Sequence, residues 1–87
     1  MWIRLKSKGN EETLFHSEMG VRIRLEEDDS EWFTLYYIYP GGKGCYPLDT
    51  SKNSKEIKRE FEKIAEEFKN KGELIDLRWE EKNEQHN

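Results

Sequence analysis

Ile57, Phe61, Ile64, Ala65 and Phe68 recur at spacings of four, three, one and three, which draws one apolar stripe along one side of an α-helix. The limits of that helix are also written locally. Asn53 offers an N-cap oxygen with Glu56 three residues later, as in a capping box, and Lys69 and Lys71 suit the negative end of the helix dipole. Gly72 can take the left-handed conformation that stops it. A helix over 53–71 with a single apolar side needs one other layer to cover that side. The other periodic segments of the chain alternate with period two, so that layer is a sheet.

Met1, Ile3 and Leu5 alternate with Trp2, Arg4 and Lys6, and a weaker strand covers 13–17, where Leu14 and Phe15 are adjacent. Val21, Ile23 and Leu25 share one side of a strand; Arg22, Arg24 and Glu26 share the other. Residues 32–39 carry large rings or β-branched residues on both alternating sets, as expected of a central strand. Pro40, Gly41 and Gly42 end it. The chain then returns over 44–48 as an edge strand, because Pro47 has no N–H to give a ladder. After a polar linker and the helix, Ile75, Leu77 and Trp79 alternate with Asp76 and Arg78 in a last strand. The predicted fold is α+β: an antiparallel sheet of four to five strands with one amphipathic helix packed on one face. Its inner layer is expected to hold Ile3, Leu5, Val21, Ile23, Leu25, Ile57, Phe61, Ile64, Phe68, Ile75 and Leu77. Residues 1–80 are read as one compact domain, and the polar residues 81–87 are expected to fray.

Composition narrows the function. Hydrophobic residues make up 33% of the 87 and charged residues 39%, but aromatics reach 13%, and large rings let a small core suffice. No apolar run approaches the ~18 residues of a membrane span, and the first residues lack the apolar stretch of a signal peptide, so a cytoplasmic protein without membrane contact is expected. One cysteine, Cys45, beside His16 and His86 supports neither a disulfide nor a zinc set, and neither cofactor nor metal is expected. The net charge of −4 opposes broad duplex DNA binding. There is no nucleophile elbow, phosphate-loop signature or metal-binding helix motif, and His16 beside Phe15 reads as structural, so the chain is not expected to be an enzyme. Gly41-Gly42-Lys43-Gly44 resembles a phosphate cradle but joins two strands instead of opening a helix, and a tight turn is the simpler reading.

The candidate binding residues follow from the sheet side predicted to face away from the helix. Alternation puts Trp2, Arg4, Arg22, Arg24 and Arg78 there, four of the five arginines, whereas most of the ten lysines fall on the helix and loops. Tyr36 lies in one of the two sets of the central strand that must join them. Arginine forks and exposed rings suit carboxylate or phosphate recognition and binding hot spots. A secondary candidate is the acidic turn with Glu26, Glu27, Asp28, Asp29 and Glu31, whose plainer reading is a solvated loop.

The opening Met1-Trp2-Ile3-Arg4, followed by strands, a Gly-Lys-Gly turn, a short strand and a helix, resembles small uncharacterised proteins of Gram-positive bacteria and their phages. This chain departs from them in its long acidic turn and its strand after the helix. The resemblance implies a phage or mobile-element accessory protein. Together with the surface, it predicts a non-enzymatic binding protein that inhibits or regulates a host protein, such as a defence system. The alternative is sequestration of a small anionic ligand, such as a nucleotide signal, by arginine and aromatic residues. A homodimer through the aromatic side of the central strand is also expected.

Overall fold

The computed structural model describes residues 1–28 and 31–78. Among these residues six strands and a helix follow in chain order: β1 (Trp2–Lys8), β2 (Glu11–His16), β3 (Arg22–Glu27), β4 (Phe33–Ile38), β5 (Cys45–Ser51), α1 (Ser54–Asn70) and β6 (Leu74–Asp76), with a 3-10 turn at Pro40–Gly42. The sheet order is β5-β4-β3-β2-β1-β6. The first five strands form an antiparallel meander, and β6 joins the far edge parallel to β1. The fold is therefore α+β with one helix, as predicted, but the sheet is larger than expected and mixed. Parallel entry of β6 requires a crossover, and α1 provides it by running across one face of the sheet.

The helix ends where its caps dictate. The Asn53 side chain accepts from the backbone N–H of Lys55 at 3.0 Å and of Glu56 at 3.4 Å. The reciprocal half of a capping box is replaced, since the Asn53 N–H donates to the Ser51 hydroxyl at 3.0 Å. At the other end Gly72 adopts φ 71°, its N–H donates to Lys69 O, and the Glu73 N–H donates to Phe68 O at 2.8 Å. That is a Schellman stop, and it aims the chain directly into β6.

Ile57, Phe61 and Ala65 are fully covered beneath the helix, against Leu14, Val21, Ile23, Leu25, Phe33 and Leu35. Phe33, Leu35 and Tyr37 supply the inner side of β4. β3 keeps its predicted phase. β1 does not: Trp2 and Arg4 face the helix, while Ile3 and Leu5 lie on the other side. The Trp2 ring stacks on Phe68 with centroids 4.6 Å apart and planes 7° off parallel. The Arg4 guanidinium lies 5.3 Å from the centre of the Phe61 ring. A wide ring and a long stem fill the space over these phenylalanines, so β1 is turned by one residue and its aliphatic set points away. β6 is shifted likewise. Leu74 packs against the core, whereas Ile75 and Leu77 are exposed, and Trp79 lies outside the described residues.

β5 runs further than its apolar pattern. The Thr34 and Thr50 hydroxyls meet at 3.1 Å, and the Thr50 hydroxyl lies 3.2 Å from Phe33 O, which extends pairing through residues read as a linker. Pro47 sits on the sheet edge as expected, next to a bulge between the Leu35 and Tyr36 pairings. Both features blunt an edge strand against further pairing.

Candidate functional site

With the helix on one face, no other element among the described residues covers the opposite face of the sheet, whose residues are half-buried to exposed. Register defines its rows, because residues directly opposite in a ladder share a side. One row reads Ile75, Ile3, Phe15, Arg22, Ile38 and Cys45; the next reads Leu5, Thr13, Arg24, Tyr36 and Pro47. The face is thus mostly apolar, with two arginines in the middle on β3.

These two arginines differ. Arg24 Nη1 donates to Glu26 Oε1 at 3.1 Å, two residues along the same strand. Arg22 lies with its guanidinium 5.4 Å from the centre of the Phe15 ring and makes no ion pair among the described residues. An exposed guanidinium held over a ring keeps its planar donor fork available to an incoming anion.

The turns after β2 and β4 meet at one end of this face. A Cβ on Gly20 would lie 3.6 Å from the Pro40 Cβ, and the Tyr39 N–H closes the β4–β5 turn on Gly44 O at 2.9 Å. Between them is a hollow of about 240 Å3 lined by Gly20, Arg22, Ile38, Tyr39, Gly41 and Gly42. A neighbouring hollow of about 340 Å3 is lined by Glu26, Tyr36, Ile38, Gly42, Gly44 and Cys45. Gly20, Gly41 and Gly42 all have φ near +70°, so the turns are built from bare backbone at positions other residues rarely adopt.

Of the residues predicted to converge, Arg22, Arg24 and Tyr36 do so. Trp2 and Arg4 do not, for the reason given above: both are buried against the helix. Arg4 Nη1 donates to Glu62 Oε2 at 2.9 Å and Nη2 to Glu62 Oε1, while Glu12 Oε2 lies 3.6 Å from Nη2. The Arg4 Nε and Glu12 Oε2 atoms have no hydrogen bond. Bonding to Arg4 holds the Glu62 carboxyl below its ordinary pKa. Arg78 is also drawn to the helix side, because Asp76 pairs in register with Arg4. Its Nε and Nη2 donate to the two Asp76 oxygens at 3.0 and 2.9 Å. Those bonds lower the Asp76 pKa and raise that of Arg78. Three predicted site residues thus belong to the inner layer and its ion network. Sequence reasoning missed Ile3, Leu5, Phe15, Ile38 and Ile75 as surface residues because it assigned most of them to the core.

The acidic turn lies at the opposite end of the sheet from the glycine turns, and its acids help to build it. Glu27 accepts from Asn10 Nδ2 at 3.1 Å, Asp28 Oδ1 accepts from the Trp32 N–H at 3.1 Å, and Glu31 adopts φ 67°. Asp29 lies outside the described residues, as do residues 81–87. The His16 Nδ1 accepts from the backbone N–H groups of Glu18 and Met19 at 3.3 and 3.0 Å, which ties the ring into the β2–β3 turn. Among the described residues no helix is long and apolar enough to cross a membrane. No protein-family model matches the chain, and neither a curated protein nor a solved structure matches it.

Proposed function

We propose that the chain is a non-enzymatic binding protein that regulates a host protein through the open face of its sheet. The observation that carries this reading is the row of Ile75, Ile3, Phe15, Arg22 and Ile38, a half-buried to exposed apolar strip on the side away from the helix, with an arginine in its midst that has no carboxylate partner among the described residues. Contiguous bare apolar surface is uncommon on isolated domains, and arginine beside aromatic residues is typical of interface centres. The resemblance of the opening residues to small uncharacterised proteins of Gram-positive bacteria and their phages implies an accessory protein, for which a host protein is the natural partner.

The central position of β3 also bears on the partner's chemistry. A two-fold pairing of this face with itself would bring Arg22 and Arg24 near their own copies, so a partner that presents carboxylates is favoured over a second copy. A carboxylate-bearing partner departs from the homodimer expected from the sequence, and sedimentation at micromolar concentration distinguishes the two: the expected monomer leaves the face to such a partner, and a dimer restores the self-pairing.

Replacing Arg22 and Arg24 together by Ser tests the reading on a partner captured from host lysate. Both side chains lie outside the inner layer, so the fold should persist with little loss of stability. Charge-assisted hydrogen bonds are worth about 1.5–3 kcal/mol each, so affinity should fall by one to several powers of ten. Unchanged affinity in a folded double variant would reject the open face as the binding surface.

A further inference from the structure

We propose that the glycine-turn end of the open face is a small-molecule site for a phosphate monoester joined through a sugar to a flat base, the chemical class of a nucleoside monophosphate. The inference rests on reading this face as a binding surface, and it gives one end of that surface a ligand of its own.

Three placements argue for it. The first is the anion end. Arg22 lines the smaller hollow with Gly20, Gly41 and Gly42 around it, and its guanidinium has no carboxylate partner among the described residues. Lys43 lies in the same turn, exposed and likewise without an ion pair among those residues. Glycine turns let a phosphate approach the backbone closely, and the two cations supply charge that a neutral ligand would not use. The second is the middle. The adjoining hollow shares Ile38 and Gly42 with the first and adds the Tyr36 ring, an apolar and aromatic wall against which a base can lie. The two together reach the range of about 300–1,000 Å3 typical of small-molecule sites.

The third is the far end, which sets length and polarity. Glu26 lines the second hollow and lies four residues from Arg22 on the same strand, a separation of about 13 Å at ~3.3 Å per residue. Its Oε1 accepts from Arg24 Nη1 at 3.1 Å, and the remaining acceptor capacity of the carboxylate is open to an amino group or N–H of the ligand. The complement is a molecule with one anionic end, a flat body and a hydrogen-bond donor roughly one nucleotide length away. A free phosphate fills only the first hollow, and a neutral nucleoside leaves Arg22 without its anion.

The test uses the intact protein in amide NMR titrations with the four nucleoside 5′-monophosphates, inorganic phosphate and adenosine. The expected result is saturable shifts at Gly20, Gly41, Gly42 and Tyr36 with at least one nucleotide, with a dissociation constant of about 1 mM or tighter. Phosphate alone and adenosine should each bind at least tenfold more weakly. Arg22→Gln should reduce nucleotide affinity at least tenfold with an otherwise native amide spectrum, whereas Lys69→Gln on the helix should leave it unchanged. Absence of saturation, equal binding of phosphate alone, or undiminished affinity in Arg22→Gln overturns the proposal. The outcome is separable from the protein-binding reading: a partner that still needs Arg22 and Arg24 while no nucleotide binds would remove the ligand and leave the surface.

Discussion

Phe61→Ala should lower the unfolding free energy by about 3–5 kcal/mol, the usual cost of deleting a buried phenyl ring and leaving its cavity. Phe61 is fully buried at the centre of the helix stripe, under the Arg4 guanidinium. Marginal stability of roughly 0.05–0.15 kcal/mol per residue gives a chain of 87 residues about 4–13 kcal/mol, so the variant should lose a large fraction of its stability, and nearly all of it at the low end of that range. Lys63→Ala, on the exposed side of the same helix, should change stability by less than about 0.5 kcal/mol. Urea unfolding followed by circular dichroism compares the two. Similar midpoints would mean that the apolar stripe does not hold helix to sheet.

The second large effect concerns the ion pair beneath the helix. Arg4 is almost wholly buried, whereas the Glu62 side chain is 54% exposed. Glu62→Ala removes the bidentate partner of a buried guanidinium and leaves it the Glu12 carboxylate at 3.6 Å and the field of Asp76, and should cost about 1–3 kcal/mol. Arg4→Met fills much of the same space with an apolar chain and returns Glu62 to water, so it should lie within about 1 kcal/mol of the parent. The opposite order would show that the pair stabilises the fold through its charge. Acid sensitivity follows from the same contact. The folded-state pKa of Glu62 is lowered, so its stabilisation is fully present above the ordinary value of 4.5 and is lost as pH falls below it through the folded value. Asp76, lowered by Arg78, behaves in the same way below 3.8. Stability should therefore fall below about pH 4.5, and less steeply in Arg4→Met.

Local signals carried far in this chain. The helix, both caps, the phase of β3 and the edge position of β5 were legible because each depends on neighbours in sequence: Asn53 with Glu56, Gly72 after Lys71, Arg22 and Arg24 alternating with Ile23, and Pro47 without an N–H. The phase of β1 was not. Met1-Trp2-Ile3-Arg4-Leu5-Lys6 alternates equally well either way, and what decides it lies some sixty residues on, where Phe61, Glu62 and Phe68 offer two rings and a carboxylate to a tryptophan and an arginine. The expected convergence of four arginines failed for that reason, leaving Arg22 and Arg24. Leu14 and Phe15 were ambiguous as adjacent apolar residues, and pairing with Arg4 and Ile3 assigns the first to the core and the second to the open face. Nothing local announces that β6 lies parallel to β1. That placement puts Ile75 beside Ile3 and extends the apolar row by one strand.

Hydroxyl-radical footprinting of the protein bound to its captured partner tests the central claim most directly, because it reads side chains on each face separately. Phe15, Tyr36, Ile38, Leu5 and Ile75 should lose reactivity in the complex, while Tyr46 and Leu48 on the β5 edge and the exposed side of α1 should keep theirs. Protection of the helix or of the acidic turn, with the open face still reactive, would contradict the account.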